Sequence, residues 1–294
     1  MPRGIPKSGF RNTKNNAAKI ASAVVSTKFV GLQKGPSDVD TGETESQIAT
    51  RLAKRFDALD KMTKACMVGA ARSLIVSGPA GLGKSFTVEK ALEKIDEKRY
   101  AICKGFVRPT GLYQMLYSYR HENNILVFDD CDSVFMDKDA LNILKAACDT
   151  TENRRIMWGA ETRMIGEDGE ALPRSFEFKG TVIFITNFDF DAAIQNGGSL
   201  AEHFNAMVSR SHYIDTGMKT RKDYIVRMKQ VVEEGMLADK GMTKIEAAEI
   251  MAFIEQNQMR LRELTLRMVL KIAGLYRMGS DWKEMAEVTV FRNV

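Results

Sequence analysis

Apolar residues fall along this chain in two rhythms. Short unbroken runs have the length and composition of strands: Ser73–Ser77 (SLIVS), Ile125–Phe128 (ILVF, then two aspartates), Thr181–Ile185 (TVIFI) and His212–Asp215 (HYID). An all-apolar run suits a parallel strand covered on both faces. The second rhythm is helical. Ile48, Leu52, Phe56, Leu59 and Met62 share one face of a predicted helix, as do Tyr224, Met228 and Val231. Thr243-Lys244-Ile245-Glu246 is a capping box that opens a further helix. Leu261, Leu264, Met268, Ile272 and Leu275 predict a last one. Between the second and third runs, Arg155–Trp158 and Ser175–Phe178 are strand-like, and Gly166-Glu167-Asp168-Gly169-Glu170 supplies turn residues; a β-hairpin near 155–178 is expected.

Composition removes several classes. With 44% apolar and 28% charged residues the chain reads as globular, and no apolar run approaches a membrane span. No signal-peptide pattern opens the chain, because Ala17–Val25 is broken by Lys19 and Ser22. Cys66, Cys103, Cys131 and Cys148 are too far apart in sequence for a zinc or disulfide framework, which predicts core thiols in a cytoplasmic protein. The net charge of +5 is uneven. The first 36 residues hold seven cations and no acid, leaving 36 cations against 38 acids elsewhere. Residues 1–44 therefore read as a basic, flexible arm and linker, and nucleic acid becomes a candidate partner through it.

The strongest local signal follows the first strand. Gly78-Pro79-Ala80-Gly81-Leu82-Gly83-Lys84-Ser85 matches G-x-x-x-x-G-K-[ST], and Val88, Leu92 and Ile95 continue with helical spacing. The glycines free the backbone to turn successive N–H groups into one concavity, and the helix N-terminus adds positive potential for phosphate. Lys84 is expected to reach the β- and γ-phosphates and Ser85 to hold Mg²⁺, with Phe86 counted in the nucleotide-facing set. Asp129 ends the next apolar run, where open α/β sheets bind ligands, and is expected to hold Mg²⁺ through water. Asp130 is the candidate base. Asn187 closes the third run and faces the attacking water or γ-phosphate. Arg210 precedes the fourth run and points away from its own loop.

Taken together, GPAGLGKS, ILVFDD, VIFITN, the Ser209-Arg210 pair before a strand and the helical tail resemble an AAA+ ATPase over roughly residues 46–280. The short form is similar to stand-alone ATPases of bacteriophages and mobile elements. The resemblance implies an α/β P-loop NTPase fold. Its five-stranded parallel sheet, in order 5-1-4-3-2, would use strands near 73–77, 100–104, 125–129, 181–186 and 212–216. A core over 45–217 would be followed by a small helical lid over 218–294. It implies ATP and Mg²⁺ as cofactors, hydrolysis of ATP, and a ring-forming homo-oligomer, hexameric in many members. In such a ring Arg210 serves a neighbour's nucleotide. Met259–Leu264 resembles the sensor-2 segment. That role falls on Arg262, with Arg260 and Arg267 as alternatives. Gly105–Pro109 has the position of a pore loop, with Phe106 or Arg108 gripping a substrate.

One departure is that Asp130 stands where the family usually has Glu. The resemblance favours a remodeller of a protein partner or complex. The alternatives are a nucleic-acid motor or loader in replication or recombination, and a nucleotide-gated scaffold with weak hydrolysis. The cytoplasm, or a host's cytoplasm for a viral protein, is the expected location.

Overall fold

The computed structural model describes residues 35–161, 164–166 and 169–292. Most of the basic arm, residues 1–34, and the hairpin tip residues Glu167 and Asp168 lie outside the described residues.

The chain enters through α1 (Glu45–Met67), which buries Ile48, Leu52, Phe56 and Leu59 on one side. Thr44 and Gln47 close its start as a capping box. Five parallel strands follow: β1 (Ser73–Ser77), β2 (Tyr100–Lys104), β3 (Ile125–Asp129), β6 (Thr181–Thr186) and β7 (His212–Asp215). They lie side by side as β2-β3-β6-β1-β7, so β1 sits between β6 and β7. A separate antiparallel pair, β4 (Arg155–Met157) and β5 (Ser175–Glu177), forms the hairpin stem.

Strand alternation divides the buried side chains between two cores. Leu74, Val76, Ile125, Val127, Ile183 and Ile185 face α1, α2 (Lys84–Leu92) and the C-terminal helices. Ile75, Leu126, Phe128, Val182 and Phe184 face the other side. There they meet α3 (Pro109–Ser118), α4 (Ser133–Met136), α5 (Lys138–Ala147), α6 (Phe190–Gln195) and α7 (Ala201–Arg210). The hairpin joins this second core through Tyr113, whose ring lies 5.1 Å from Phe176 and 5.7 Å from Trp158.

Past β7 the chain is helical: α8 (Arg221–Val231), α9 (Lys244–Gln256), α10 (Leu266–Tyr276) and α11 (Trp282–Val290). Thr243 and Glu246 cap α9 as the sequence predicts. The last predicted helix begins later than its apolar spacing suggests. Leu261 instead bridges Phe291 in extended form, Arg262 N–H donates to Val290 O, and Thr265 caps α10 by accepting from Met268 N–H. Backbone pairing to the chain's end thus overrides the helical period over 261–264. The linker is anchored as well: Ser37 N–H donates to Lys219 O, and Arg221 N–H donates to Ser37 O. No helix among the described residues is long and apolar enough to cross a membrane.

Candidate functional site

The glycine loop leaves the C-terminal end of β1 and feeds α2, so its residues lie above a strand flanked by β6 and β7. Gly78 has φ 156°, and a Cβ there would stand 2.0 Å from Thr216 Oγ1; no side chain fits. Lys84 opens α2 and is 5% exposed. Its Nζ donates to Gly78 O (2.7 Å), Pro79 O (2.8 Å) and Asn187 Oδ1 (3.0 Å). Burial lowers the pKa of this ammonium to about 8, opposed by the carboxylates of Asp130, Asp129 and Asp132 and reinforced by Arg267.

Ser85 Oγ donates to Asp129 Oδ1 at 2.8 Å, joining the loop to the end of β3. Asp129 is 4% exposed, and its other oxygen lies 3.2 Å from Lys104 Nζ at the end of β2. Lys104 also donates to Glu89 Oε1 at 2.7 Å. Asp130 turns the chain out of β3 with φ 53°, a left-handed conformation that aspartate tolerates better than most residues. Its N–H donates to Ile185 O at 2.9 Å, and its carboxylate accepts from Asn187 Nδ2 at 2.9 Å. Lys84, Asn187 and Asp130 therefore form one hydrogen-bonded chain across the mouth of the sheet.

Asp130 also faces a cleft of about 320 Å³, lined besides by Ser85, Phe86, Asp129 and, from α10, Arg267; Asn187 lines the next one. A neighbouring cleft of about 290 Å³ lies between the loop residues Pro79 and Ala80, the linker residues Gly35 and Pro36, and Tyr224, Leu264 and Arg262. Of the three arginines weighed for the lid contact, Arg267 shares the cleft with Ser85 and Asp129. Arg262 lines the second cleft, and its Nε donates to Phe291 O at 2.9 Å. Arg260 lies over the Phe291 ring and pairs with Glu287.

Arg210 sits at the opposite end of the sheet. Its carbonyl accepts from Ser73 Oγ at the start of β1, and its Nη1 donates to Ala206 O at 3.0 Å. Its buried Nε has no partner among the described residues. Phe106, beyond β2, is 74% exposed and stands beside Arg108.

No protein-family model matches the chain. It is 39% identical over 249 residues to an uncharacterized 36.7 kDa protein in the nrdC-mobD intergenic region of Enterobacteria phage T4, covering 83% of this chain and 76% of that one. The chain belongs to the family of that phage protein. Among solved structures it is similar to the Thermotoga maritima RuvB Holliday junction branch migration motor, with 16% identity, a TM-score of 0.41, and 87% of this chain and 68% of that one covered. It is also similar to NtrX from Brucella abortus in complex with ATP, with 12% identity, a TM-score of 0.37, and 86% and 57% coverage.

Several residues of the site escape motif reading. Lys104 pairs with both Asp129 and Glu89, and neither Lys104 nor Glu89 belongs to a motif. Asp132 accepts a hydrogen bond from Thr186, and burial raises its carboxyl pKa, partly countered by that bond. The only sequence signal for Asp132 was its spacing after the paired aspartates. Arg227 on α8 lies 3.5 Å over the Phe56 ring, and its Nε donates to Leu82 O at 3.4 Å. Nothing in the polar pattern of that helix marks it.

Proposed function

We propose that the protein binds ATP with Mg²⁺ and hydrolyses it to ADP and phosphate, as an AAA+ module with a core over 45–217 and a helical lid over 218–294. The observation that carries this reading is convergence. Lys84 and Ser85 after the glycine loop, Asp129 and Asp130 at the end of β3 and Asn187 at the end of β6 meet through hydrogen bonds of 2.8–3.0 Å, Ser85 to Asp129 and Lys84 to Asn187 to Asp130.

The donor set fits a hard cation. Ser85 Oγ and Asp129 Oδ1 already lie 2.8 Å apart, and a single carboxylate with a hydroxyl, completed by phosphate oxygens and water, suits Mg²⁺. When bound, that ion would neutralise charge on the phosphates. In this reading Lys84 leaves the carbonyls of Gly78 and Pro79 for the β- and γ-phosphates. Asn187 and Asp130 hold the attacking water, and Asp130 takes its proton. Arg267 adds positive charge from the lid side, where the resemblance alone favoured Arg262. The cleft beside Pro36, Tyr224 and Leu264 takes the base and ribose. Arg210 completes the site of a neighbouring subunit in a ring, hexameric by resemblance.

The module's work is remodelling a protein partner, with exposed Phe106 as the gripping residue. The basic arm supports the second reading, a nucleic-acid motor or loader: seven cations and no acid occupy its first 36 residues. A relative in a bacteriophage supports a phage-type module acting in a host cytoplasm.

Steady-state turnover of ATP by the full chain, with and without Mg²⁺, tests the reading. Lys84→Ala should bring turnover to background and weaken tripolyphosphate binding by at least about 100-fold, since it leaves bound phosphate without its buried counter-charge. Turnover that survives Lys84→Ala places the chemistry elsewhere. Duplex and single-stranded DNA titrated against the full chain and a form lacking residues 1–44 separates the partner classes.

A further inference from the structure

The phosphate loop is gripped from outside by the helical segment that follows β7. Leu266 N–H, at the first residue of α10, donates to Gly81 O at 2.8 Å. Arg227 Nε, from α8, donates to Leu82 O at 3.4 Å. Thr265 fills the remaining space: a Cβ on Gly81, where φ is +72°, would stand 2.9 Å from Thr265 Cβ. Two consecutive loop carbonyls are thus held by one structural unit.

Peptide planarity gives this grip a consequence. In a trans peptide the C=O and the N–H of the next residue point in opposite directions, and none of the described peptides is cis. A bond to Gly81 O therefore fixes the direction of Leu82 N–H, and a bond to Leu82 O fixes that of Gly83 N–H. Both N–H groups face away from the helical segment, and neither has a hydrogen-bond partner among the described residues. Such a pair of free, parallel donors is what an anion-binding loop must present.

We propose that Arg227 and the start of α10 are positioning residues that hold the Leu82 and Gly83 amides toward polyphosphate, so that phosphate affinity depends on the seating of the C-terminal helices. This inference rests on the phosphate-loop reading above. Arg227 suits the task because it is locked on three sides. Its guanidinium lies over the Phe56 ring, its Nη2 stands 3.4 Å from where a Gly83 Cβ would be, and the whole residue is 5% exposed. Burial lowers its pKa to about 10, so it stays cationic at neutral pH and adds positive potential behind the loop. Glu234 lies 3.9 Å from Nη1 and is mostly exposed, so that charge is only weakly countered.

The test compares Arg227→Lys and Arg227→Met in the full chain, measuring inorganic tripolyphosphate affinity by calorimetry and melting by circular dichroism. Packing alone favours Met at this buried position, because burying an ammonium is costly. A purely structural role therefore ranks affinity with stability, Met at or above Lys. The clamp reverses the affinity order. Arg227→Met should lose about tenfold in tripolyphosphate affinity, the scale of one charged hydrogen bond, and Arg227→Lys should keep part of it although it melts no higher. Affinity in Arg227→Met equal to wild type, or a Met variant that binds as well as the Lys variant, overturns the clamp. If Lys84→Ala abolishes binding in the same assay while Arg227→Met changes nothing, the clamp fails and the phosphate-loop reading stands. If the wild-type chain binds no tripolyphosphate, both fail.

Discussion

The two ends of β1 carry opposite kinds of cation. At its C-terminal end Lys84 finds three oxygen acceptors within its own chain, and three carboxylates, Asp130, Asp129 and Asp132, stand near it. At the N-terminal end, roughly 15 Å away for a five-residue strand, Arg210 has one carbonyl acceptor for Nη1 and a buried Nε with none among the described residues. A buried donor without a partner is costly. The loop end is thus electrostatically closed on itself, whereas the Arg210 end has donors to spare. The difference teaches where a bound anion or a second chain would find unused donors: at the Arg210 end, not among the acceptors that already hold Lys84.

Among substitutions that leave ATP affinity intact, breaking the open end should have the largest effect. Arg210→Ala is expected to lower ATP turnover by about 10³-fold, the lower range for an arginine supplied to a neighbour's phosphate, while ATP affinity stays within about twofold. Mixing Arg210→Ala chains with Lys84→Ala chains, which still carry Arg210, should restore part of the rate. Equal losses of affinity and rate, or no recovery on mixing, would assign Arg210 to its own fold instead.

How much of this contrast was legible in the sequence depends on the length scale of each signal. Runs such as SLIVS and TVIFI announce buried parallel strands because both faces are apolar, and the glycine loop is a contiguous motif. The capping box at Thr243 is equally local. Lys104, Asp132 and Arg227 were not legible, since each acquires its partners only through sheet register or helix docking. The segment 261–264 misled for a related reason. Its apolar spacing is helical, but Leu261 pairs with Phe291, and no periodicity reports a bridge across 30 residues. Asp130 is the reverse case. It departs from the Glu that the resemblance suggests, and its φ of 53° gives a physical reason: the short polar side chain suits a left-handed turn.

That turn sharpens the closed end. Asp130→Asn keeps both the left-handed conformation and an oxygen for Asn187 Nδ2, so it removes charge with little change in shape. Turnover should fall by about 10²-fold, the lower range for loss of a general base, with ATP affinity within about twofold of wild type. Asp130→Glu should not exceed the wild-type rate, because the longer chain must adopt the same backbone. A faster glutamate variant would show that side-chain reach, and not backbone conformation, limits the step.

The closed end also makes the charge of Lys84 conditional. Its pKa is lowered to about 8 from the usual 10.5, chiefly by burial. A lowered folded pKa means that the unfolded chain binds the proton more tightly. Burying the charged form therefore costs stability below pH 8, and that cost is relieved as the pH rises from 8 toward 10.5. Bound phosphates favour the ammonium. Tripolyphosphate affinity should accordingly hold below pH 8 and fall by up to about tenfold per pH unit above it, with proton uptake on binding. Calorimetry in two buffers of different ionisation enthalpy at pH 8.5 measures that uptake. A flat affinity profile from pH 7 to 9.5 would mean that Lys84 is fully charged before the anion arrives.

The smallest expected effect concerns Lys104, which occupies Asp129 from the β2 side at 3.2 Å while its exposed ammonium also serves Glu89. A half-exposed pair of this kind is worth little, yet it competes directly for the carboxylate assigned to Mg²⁺. Lys104→Ala should lower the Mg²⁺ concentration for half-maximal turnover by about two- to fivefold, the range set by exposed ion pairs, and leave the maximal rate nearly unchanged. Lys104→Arg should shift it little or in the opposite direction, since a guanidinium can hold the same oxygen. An unchanged or raised requirement in Lys104→Ala would mean that the lysine does not compete for Asp129, and that Lys84 and Arg267 balance the closed end without it.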